Sequence, residues 1–386
     1  MIPSNSKAQD DPQYQNFLNT ITTAVPFLMI GPDSRAGAMG DVGAATKPDA
    51  NSAYWNTAKS AFLEQEQSLT ISYIPWLRSL VNDIYMAQAG YTWKPNERLS
   101  LSHGLRYFSL GEIPFRDENA SLIQIVNPNE LALDLAGVGY KFNERFAGGF
   151  ALRYIYSNLT AGSSIGGTAS KPGNSVAVDI NGFYDKPVKI GEYTGDYTFG
   201  FNIQNIGNKI SYSESAERDF IPMNLKIGTG LNLEIDEFNE IGFYLDVNKL
   251  LVPTPPVYSD EEDANGDRIV LAGEDPNVST AQGIIQSFYD APGGMKEEFN
   301  EINFAFGTEY WYDKQFAIRG GYFYENPNKG NRNHLTVGIG LKYNIFNLDF
   351  SYLWPLTQRN PLENTLRFTM SFDFADIKTV TDKEED

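Results

Sequence analysis

The sequence predicts an all-β chain folded as a 14-stranded antiparallel transmembrane β-barrel with an N-terminal plug segment. Three observations predict it: a strict apolar/polar alternation, a parity in the lengths of the connections, and an excess of aromatic residues and glycine. The alternation is clearest between Phe299 and Phe374. Leu335, Val337, Ile339, Leu341 and Tyr343 fall on one face, and His334, Thr336, Gly338, Gly340 and Lys342 on the other. Phe346, Leu348, Phe350, Tyr352 and Trp354 repeat the pattern, as do Leu366, Phe368, Met370, Phe372 and Phe374. A period of two marks strands whose faces meet different surroundings. A soluble sandwich would hide the apolar face against a second sheet, whereas a barrel gives it to lipid.

Fourteen such strands are expected at residues 68–75, 83–94, 97–108, 131–142, 145–157, 175–185, 192–204, 222–235, 239–249, 301–311, 315–325, 333–344, 346–354 and 363–375. In the fifth, Phe146, Phe150, Leu152, Tyr154 and Tyr156 oppose Arg145, Ala147, Ala151 and Arg153; in the eighth, Leu225, Ile227, Leu231 and Leu233 oppose Asn224, Lys226, Asn232 and Glu234. The linkers after even-numbered strands are short, as in Pro95-Asn96, Asn143-Glu144, Asp236 to Phe238 and Tyr312 to Lys314. Those after odd-numbered strands are mostly long: Ser109 to Glu130, Asn158 to Asn174, Asn205 to Ile221 and Leu250 to Asn300. Tight turns on one rim and long loops on the other are the habit of outer-membrane barrels, and a Greek-key sandwich has no reason to obey it. An even strand number returns both ends of the barrel to the periplasmic side, and closure removes the unpaired sheet edge that lipid would penalise.

Composition narrows the function. No run approaches the roughly 18 to 20 apolar residues of a transmembrane helix. The 25 Phe, 22 Tyr, 5 Trp and 34 Gly suit aromatic girdles and closely approaching strands. The absence of cysteine removes disulfides, thiol nucleophiles and Cys-bound metals, and two histidines leave little for acid-base or zinc chemistry. With 49 Asp plus Glu against 30 Lys plus Arg, the net charge of -19 argues against nucleic acid as a partner. Ile2 to Asp11 has no apolar core of a secretory signal, so the barrel reading requires a processed form of the chain.

A wall of fourteen strands is too wide to be filled by its own side chains. Ala24 to Leu63, apolar and dense in Gly and Pro, precedes the first strand and is the natural plug, with short helical pieces expected at Ser34 to Met39 and at Asn56 to Leu63, the second capped by Asn56 or Thr57. The expected organisation is a periplasmic arm at 1–22, a plug at 23–66, a barrel at 67–376 and a periplasmic tail at 377–386.

Little points to catalysis or to a cofactor. His103 falls in the phase of Leu99, Leu101 and Leu105, at an interface or facing a neighbour, and nothing fixes a Ser/His/Asp geometry around His334. Asp263, Asn265 and Asp267 have the alternate spacing that opens a calcium loop, and Glu274 stands twelfth from Asp263; the sixth place, however, is Arg268 where the sharp turn wants glycine. The stretch Leu250 to Asn300 is the functional candidate. It reads as a long extracellular loop without strands of its own, acidic and Pro-rich at first, with an amphipathic helix at Gln282 to Tyr289. It presents Ile284, Ile285, Phe288, Tyr289 and Met295 to a partner.

The stretch PFLMIGPDSRAGAMGDVGAAT, followed by NSAYWNTAKSAF, resembles the plug region of FadL-like outer-membrane barrels. Together with IIQSFYDAPGGMKEEFNEINFAFGTEYWYDKQFAIRGGY, it is most similar to the PorV (also LptO) family of the type IX secretion system of Bacteroidetes. The resemblance implies a non-enzymatic outer-membrane component of protein secretion, embedded in outer-membrane lipid. Such a component binds a SprA/Sov-like translocon and the C-terminal domain of secreted cargo, and carries cargo to a PorU-like attachment complex. Carried over by position, the plug comprises Pro26 to Ala45 and Asn51 to Phe62, including Pro32, Asp33, Arg35, Gly40, Trp55 and Asn56, and the partner-facing surface lies around Tyr289 to Lys296. The family also carries a proposal of lipid A deacylation, for which the sequence offers no catalytic set. A FadL-type transporter of hydrophobic small molecules is the alternative, opposed by the charged lumen phase of Arg153, Lys226, Glu309, Arg319, Lys342 and Arg367.

Overall fold

The structure, a computed structural model, describes residues 18–117, 119–159, 164–165, 168–213, 218–262, 268–357 and 362–374. β1 (Gln67–Pro75), β2 (Ile84–Trp93) and β3 (Leu99–Leu110) open the wall, and β4 (Ile113–Arg116) and β5 (Leu122–Val126) pair in a separate hairpin. β6 (Asn129–Lys141) and β7 (Phe146–Asn158) resume the wall before the small hairpin of β8 (Ser164–Ile165) and β9 (Thr168–Ala169). Then come β10 (Gly173–Ile190), β11 (Tyr193–Gly207), β12 (Asn224–Glu234) and β13 (Asn239–Leu250), followed by a hairpin of β14 (Val257–Glu262) and β15 (Arg268–Ala272). β16 (Ile302–Tyr312), β17 (Phe316–Tyr324), β18 (Asn333–Tyr343), β19 (Phe346–Pro355) and β20 (Leu366–Phe374) complete it. Among the described residues, fourteen of these strands close one barrel in sequence order, sealed by β1 against β20 from Gln67↔Phe374 to Tyr73↔Phe368.

All fourteen wall strands stand where the alternation placed them, and the largest departure is β10, which runs to Ile190. The outward face carries the apolar phase: Leu335, Val337, Ile339, Leu341 and Tyr343 are exposed, as lipid contact requires. The opposite phase is buried although polar, with Arg106, Arg153, Asp246, Glu309, Arg319 and Arg367 all turned to an occupied lumen. The short turns are built by their own side chains. Asn96 accepts from the backbone N–H groups of Arg98 and Leu99 (3.0 Å each), Asn143 from those of Arg145 and Phe146 (2.9 and 3.0 Å), and Asp236 from those of Phe238 and Asn239 (2.9 Å each).

The helical piece expected at Asn56 to Leu63 is present as a 3-10 helix, Thr57–Phe62, with Asn56 at its cap: Ala58 N–H is shared between Asn56 Oδ1 (3.1 Å) and Asn181 Oδ1 of the wall (2.9 Å). Two expectations are corrected here. The stretch Leu250 to Asn300 is not strandless, because β14 and β15 pair within it. The arm expected on the periplasmic side is found, at its described end, on the long-loop rim: Asn19 N–H donates to the carbonyl of Asn328 in the β17–β18 connection (3.0 Å), and Ala24 N–H to that of Phe220 between β11 and β12 (2.9 Å). The chain enters the lumen from that rim and meets β1 only after crossing to the short-turn side. The expected tail at 377–386 lies outside the described residues.

His103 faces outward beside Leu105 and sits at a bulge, where the β3–β6 register shifts between Ser102 and Gly104. Its Nδ1 hydrogen-bonds the carbonyl of the bulged Leu135 at 2.8 Å. His334 is buried and stacked on Phe323, with ring centroids 5.1 Å apart, and neither ring nitrogen has a hydrogen-bond partner among the described residues. Among the described residues no Ser/His/Asp set forms around it.

Candidate docking rim

The plug fixes the barrel as a closed object. Asp33 caps α1 (Ser34–Ala38) by accepting from Ala36 N–H at 2.8 Å, and its second oxygen accepts from the indole N–H of Trp55 at 2.5 Å. Trp55 ends α2 (Ser52–Trp55), so one buried carboxylate ties the two helical pieces together. Pro32 lies buried just before that cap. Arg35 reaches the wall with a bidentate pair on Glu309 (2.9 and 2.8 Å), and Glu309 also accepts from Arg319 at 2.6 Å. Arg367 of β20 pairs with Asp41, and the N–H groups of Gly43 and Ala44 donate to Asp246 at 2.7 and 3.1 Å. Asn56 donates to the carbonyls of Ala44 and of Gly182 in the wall, 3.0 Å each. Gly40 adopts φ +71°, and a Cβ there would lie 2.7 Å from the Tyr322 carbonyl oxygen. Only glycine lets the plug backbone come this close.

Between plug and wall, toward the short turns, lies a polar vestibule of about 420 Å³ lined by Lys47, Asp49, Glu240, Trp311, Lys314 and Asp373 among others.

On the opposite rim, β14, β15, α3 (Thr280–Gln286) and α4 (Met295–Asn300) stand between β13 and β16. Ser279 caps α3 by accepting from Gln282 N–H at 3.3 Å, which starts the helix two residues before Gln282. Ile285 (64%), Phe288, Tyr289, Met295 and Phe299 (66%) are all exposed above the wall. Ile284 is not among them: it packs inward against the cluster that contains Phe220, Leu251 and Val252.

What holds this apolar face in place is a buried ionic network that periodicity could not show. Glu297, Glu298 and Glu301 project from and just beyond α4. Lys249 of β13 donates to Glu298 and Glu301 (3.1 and 2.7 Å), and Lys329 of the β17–β18 connection donates to Glu297 and Glu301 (2.5 and 2.9 Å). Thr254 Oγ1 donates to Glu301 at 2.6 Å, while Ala291 and Gly293 N–H groups donate to Glu298 and Glu297 at 2.9 and 2.6 Å. Asp290 accepts from Thr254 N–H at 3.1 Å. Burial and the carboxylates of Glu298 and Glu301 push Asp290 up to about 8, and burial with Glu301 raises Glu298. The legible signal was the Glu297/Glu298/Glu301 spacing, which puts carboxylates on one side of a helical turn.

Asp263, Asn265 and Asp267 lie outside the described residues. The span counted from Asp263 to Glu274 includes β15, and among the described residues no group of three or more His, Asp or Glu is placed to hold a metal.

Solved structures share the fold. A deletion variant of the TodX monoaromatic hydrocarbon channel aligns over 90% of this chain and 100% of its own at 12% identity and a TM-score of 0.50. The Pseudomonas putida toluene transporter TodX aligns at 12% identity over 90% and 99% (TM-score 0.49), and a Pseudomonas aeruginosa FadL homologue at 9% identity over 92% and 99% (TM-score 0.44). At such identity the first shows the barrel architecture alone. No curated protein matches the chain. The profile described as type IX secretion system protein PorV matches residues 12–257, from the arm ahead of the plug through β13 to the start of β14. The chain therefore belongs to the PorV family, outer-membrane components of the type IX secretion system.

Proposed function

We propose that this barrel is a docking and shuttle component of type IX secretion, offering its long-loop rim to a SprA/Sov-like translocon and to the C-terminal domain of secreted cargo, and delivering cargo to a PorU-like attachment complex. The observation that carries this reading is the exposure of five apolar side chains, Ile285, Phe288, Tyr289, Met295 and Phe299, within one loop on a rim clamped by buried ion pairs. Such a face is costly in water and rigid, which suits a preformed partner site. The lumen supports no comparable role: its plug is bonded to the wall through Glu309, Asp246 and Gly182, and the space beside it is polar. This weighs against passage of a hydrophobic small molecule.

Affinity purification of the barrel from outer membranes tests the reading. Wild type is expected to bring down a large translocon and exported proteins; removing residues 280–289 is expected to lose them, with removal of the β14–β15 hairpin as the comparison. Full recovery of both partners by the 280–289 deletion would sink the assignment to this face.

A further inference from the structure

The β10–β11 hairpin outruns its neighbour. β7 leaves β10 at Tyr184↔Phe146, but β10 continues, paired only with β11, to Ile190↔Tyr193. In wall order β10, β11, β12, β13 and β16 are successive, so Val188 and Phe306 stand four strands apart, at about 4.8 Å per step. Both nonetheless line one groove. The end of the hairpin therefore folds back over the outer face of the wall. Gly195 permits the fold, because a Cβ at this position would lie 1.9 Å from the Asn232 carbonyl oxygen.

The groove has a volume of about 530 Å³, within the ~300–1,000 Å³ of small-ligand sites. Ile190, Tyr197, Leu231, Phe243, Leu245 and Phe306 make it apolar, and Thr229 leaves room at its floor. It opens on the face that meets lipid, at the end of the hairpin nearest the short turns and hence in the periplasmic half of the membrane. Lys189 lines it and is exposed. In a chain of net charge -19, a lysine at the mouth of an apolar groove is complementary to one kind of ligand: an anionic group carried on a hydrocarbon chain.

We propose that this groove binds one glycerophospholipid of the periplasmic leaflet, with an acyl chain beneath the folded hairpin end and its phosphate at Lys189. Lipopolysaccharide occupies the other leaflet, and an apolar segment of a partner protein would make no use of the lysine.

The test uses the full-length barrel, extracted in mild detergent, delipidated and then titrated with phosphatidylethanolamine or phosphatidylglycerol in micelles, with bound lipid counted by native mass spectrometry. Wild type is expected to hold one phospholipid. Lys189→Glu is expected to weaken binding about tenfold, as loss of a charge-assisted contact does, with Lys189→Arg restoring it. Thr229→Trp, which fills the floor, is expected to abolish it. Heat-dependent gel mobility confirms that each variant is folded, and the Lys189 pair, on an exposed hairpin end, stands alone if the tryptophan variant is not. Equal binding by wild type and Lys189→Glu, no retained phospholipid, or retention of lipopolysaccharide in its place would overturn the proposal. So would a Thr229→Trp barrel that keeps its lipid but loses a co-purifying membrane protein.

Discussion

The side-chain amide of Asn19 donates to the Glu297 carboxylate at 3.1 Å, joining residues 278 positions apart, and its second proton goes to the Pro255 carbonyl at 3.0 Å. With its backbone N–H on Asn328, Asn19 straps three parts of the rim together: the start of the long loop, α4 and the β17–β18 connection. The segment that leads into the plug thus also holds the long-loop rim in place.

Replacing Asn19 with alanine leaves Glu297 with fewer donors and should cost the rim about 1–3 kcal/mol of local stability. Hydrogen exchange across residues 280–301 is expected to quicken by one to two orders of magnitude, while exchange in the wall strands stays unchanged. Unaltered protection of the loop would show that Lys249 and Lys329 hold the rim without the strap.

Glu309 is the anchor between plug and wall, since Arg35 and Arg319 share its carboxylate. Glu309→Gln leaves the buried Arg35 and Arg319 with only Asp49 and Asp349 as carboxylate partners and should destabilise the barrel by up to about 3–5 kcal/mol. Urea unfolding followed by gel mobility measures this. A Glu309→Leu, Arg35→Met double variant, which removes the unpaired charge between plug and wall, is expected to recover part of the loss. A Glu309→Gln barrel as stable as wild type would contradict the anchor.

Asp290 gives the rim a pH dependence with a defined sign. Its carboxyl is raised to about 8 in the folded loop, so the folded state binds a proton that the unfolded chain has released above its ordinary carboxylate range. Its contribution is fully present below the unfolded value and is lost as pH rises through about 8. Protection of residues 280–301, corrected for intrinsic exchange, is expected to be higher at pH 6 than at pH 9, and Asp290→Asn is expected to flatten the difference. A difference that survives in Asp290→Asn would assign the effect to Glu298, which shifts in the same direction.

The wall was legible because lipid on one side and a polar plug on the other impose a period of two, strand after strand, from Leu69 to Phe374. β5 and β15 escaped notice for the opposite reason. Leu122, Ile123 and Ile125 are all exposed, as are Ile269 and Leu271, so these hairpins project from the rim without a buried and an open face to alternate between. The second helical piece of the plug was legible through its cap, Asn56, which acts within a few positions. The plug's wall partners Glu309 and Gly182 were not, because only barrel closure brings them near. Ile284 was misjudged for want of knowing which side of α3 meets Phe220 and Leu251. The side on which Asn19 emerges depends on a contact 278 residues away, which no local pattern encodes.

The central claim is that partners meet the long-loop rim. Photo-crosslinking in living cells tests it most directly, with a benzophenone amino acid placed at Phe299 on the rim or at Tyr343 on the outer wall, both widely exposed. The account predicts protein adducts from Phe299, including a large outer-membrane protein and exported chains, and none of these from Tyr343. Absence of protein adducts at Phe299, or the same adducts from both positions, would contradict it.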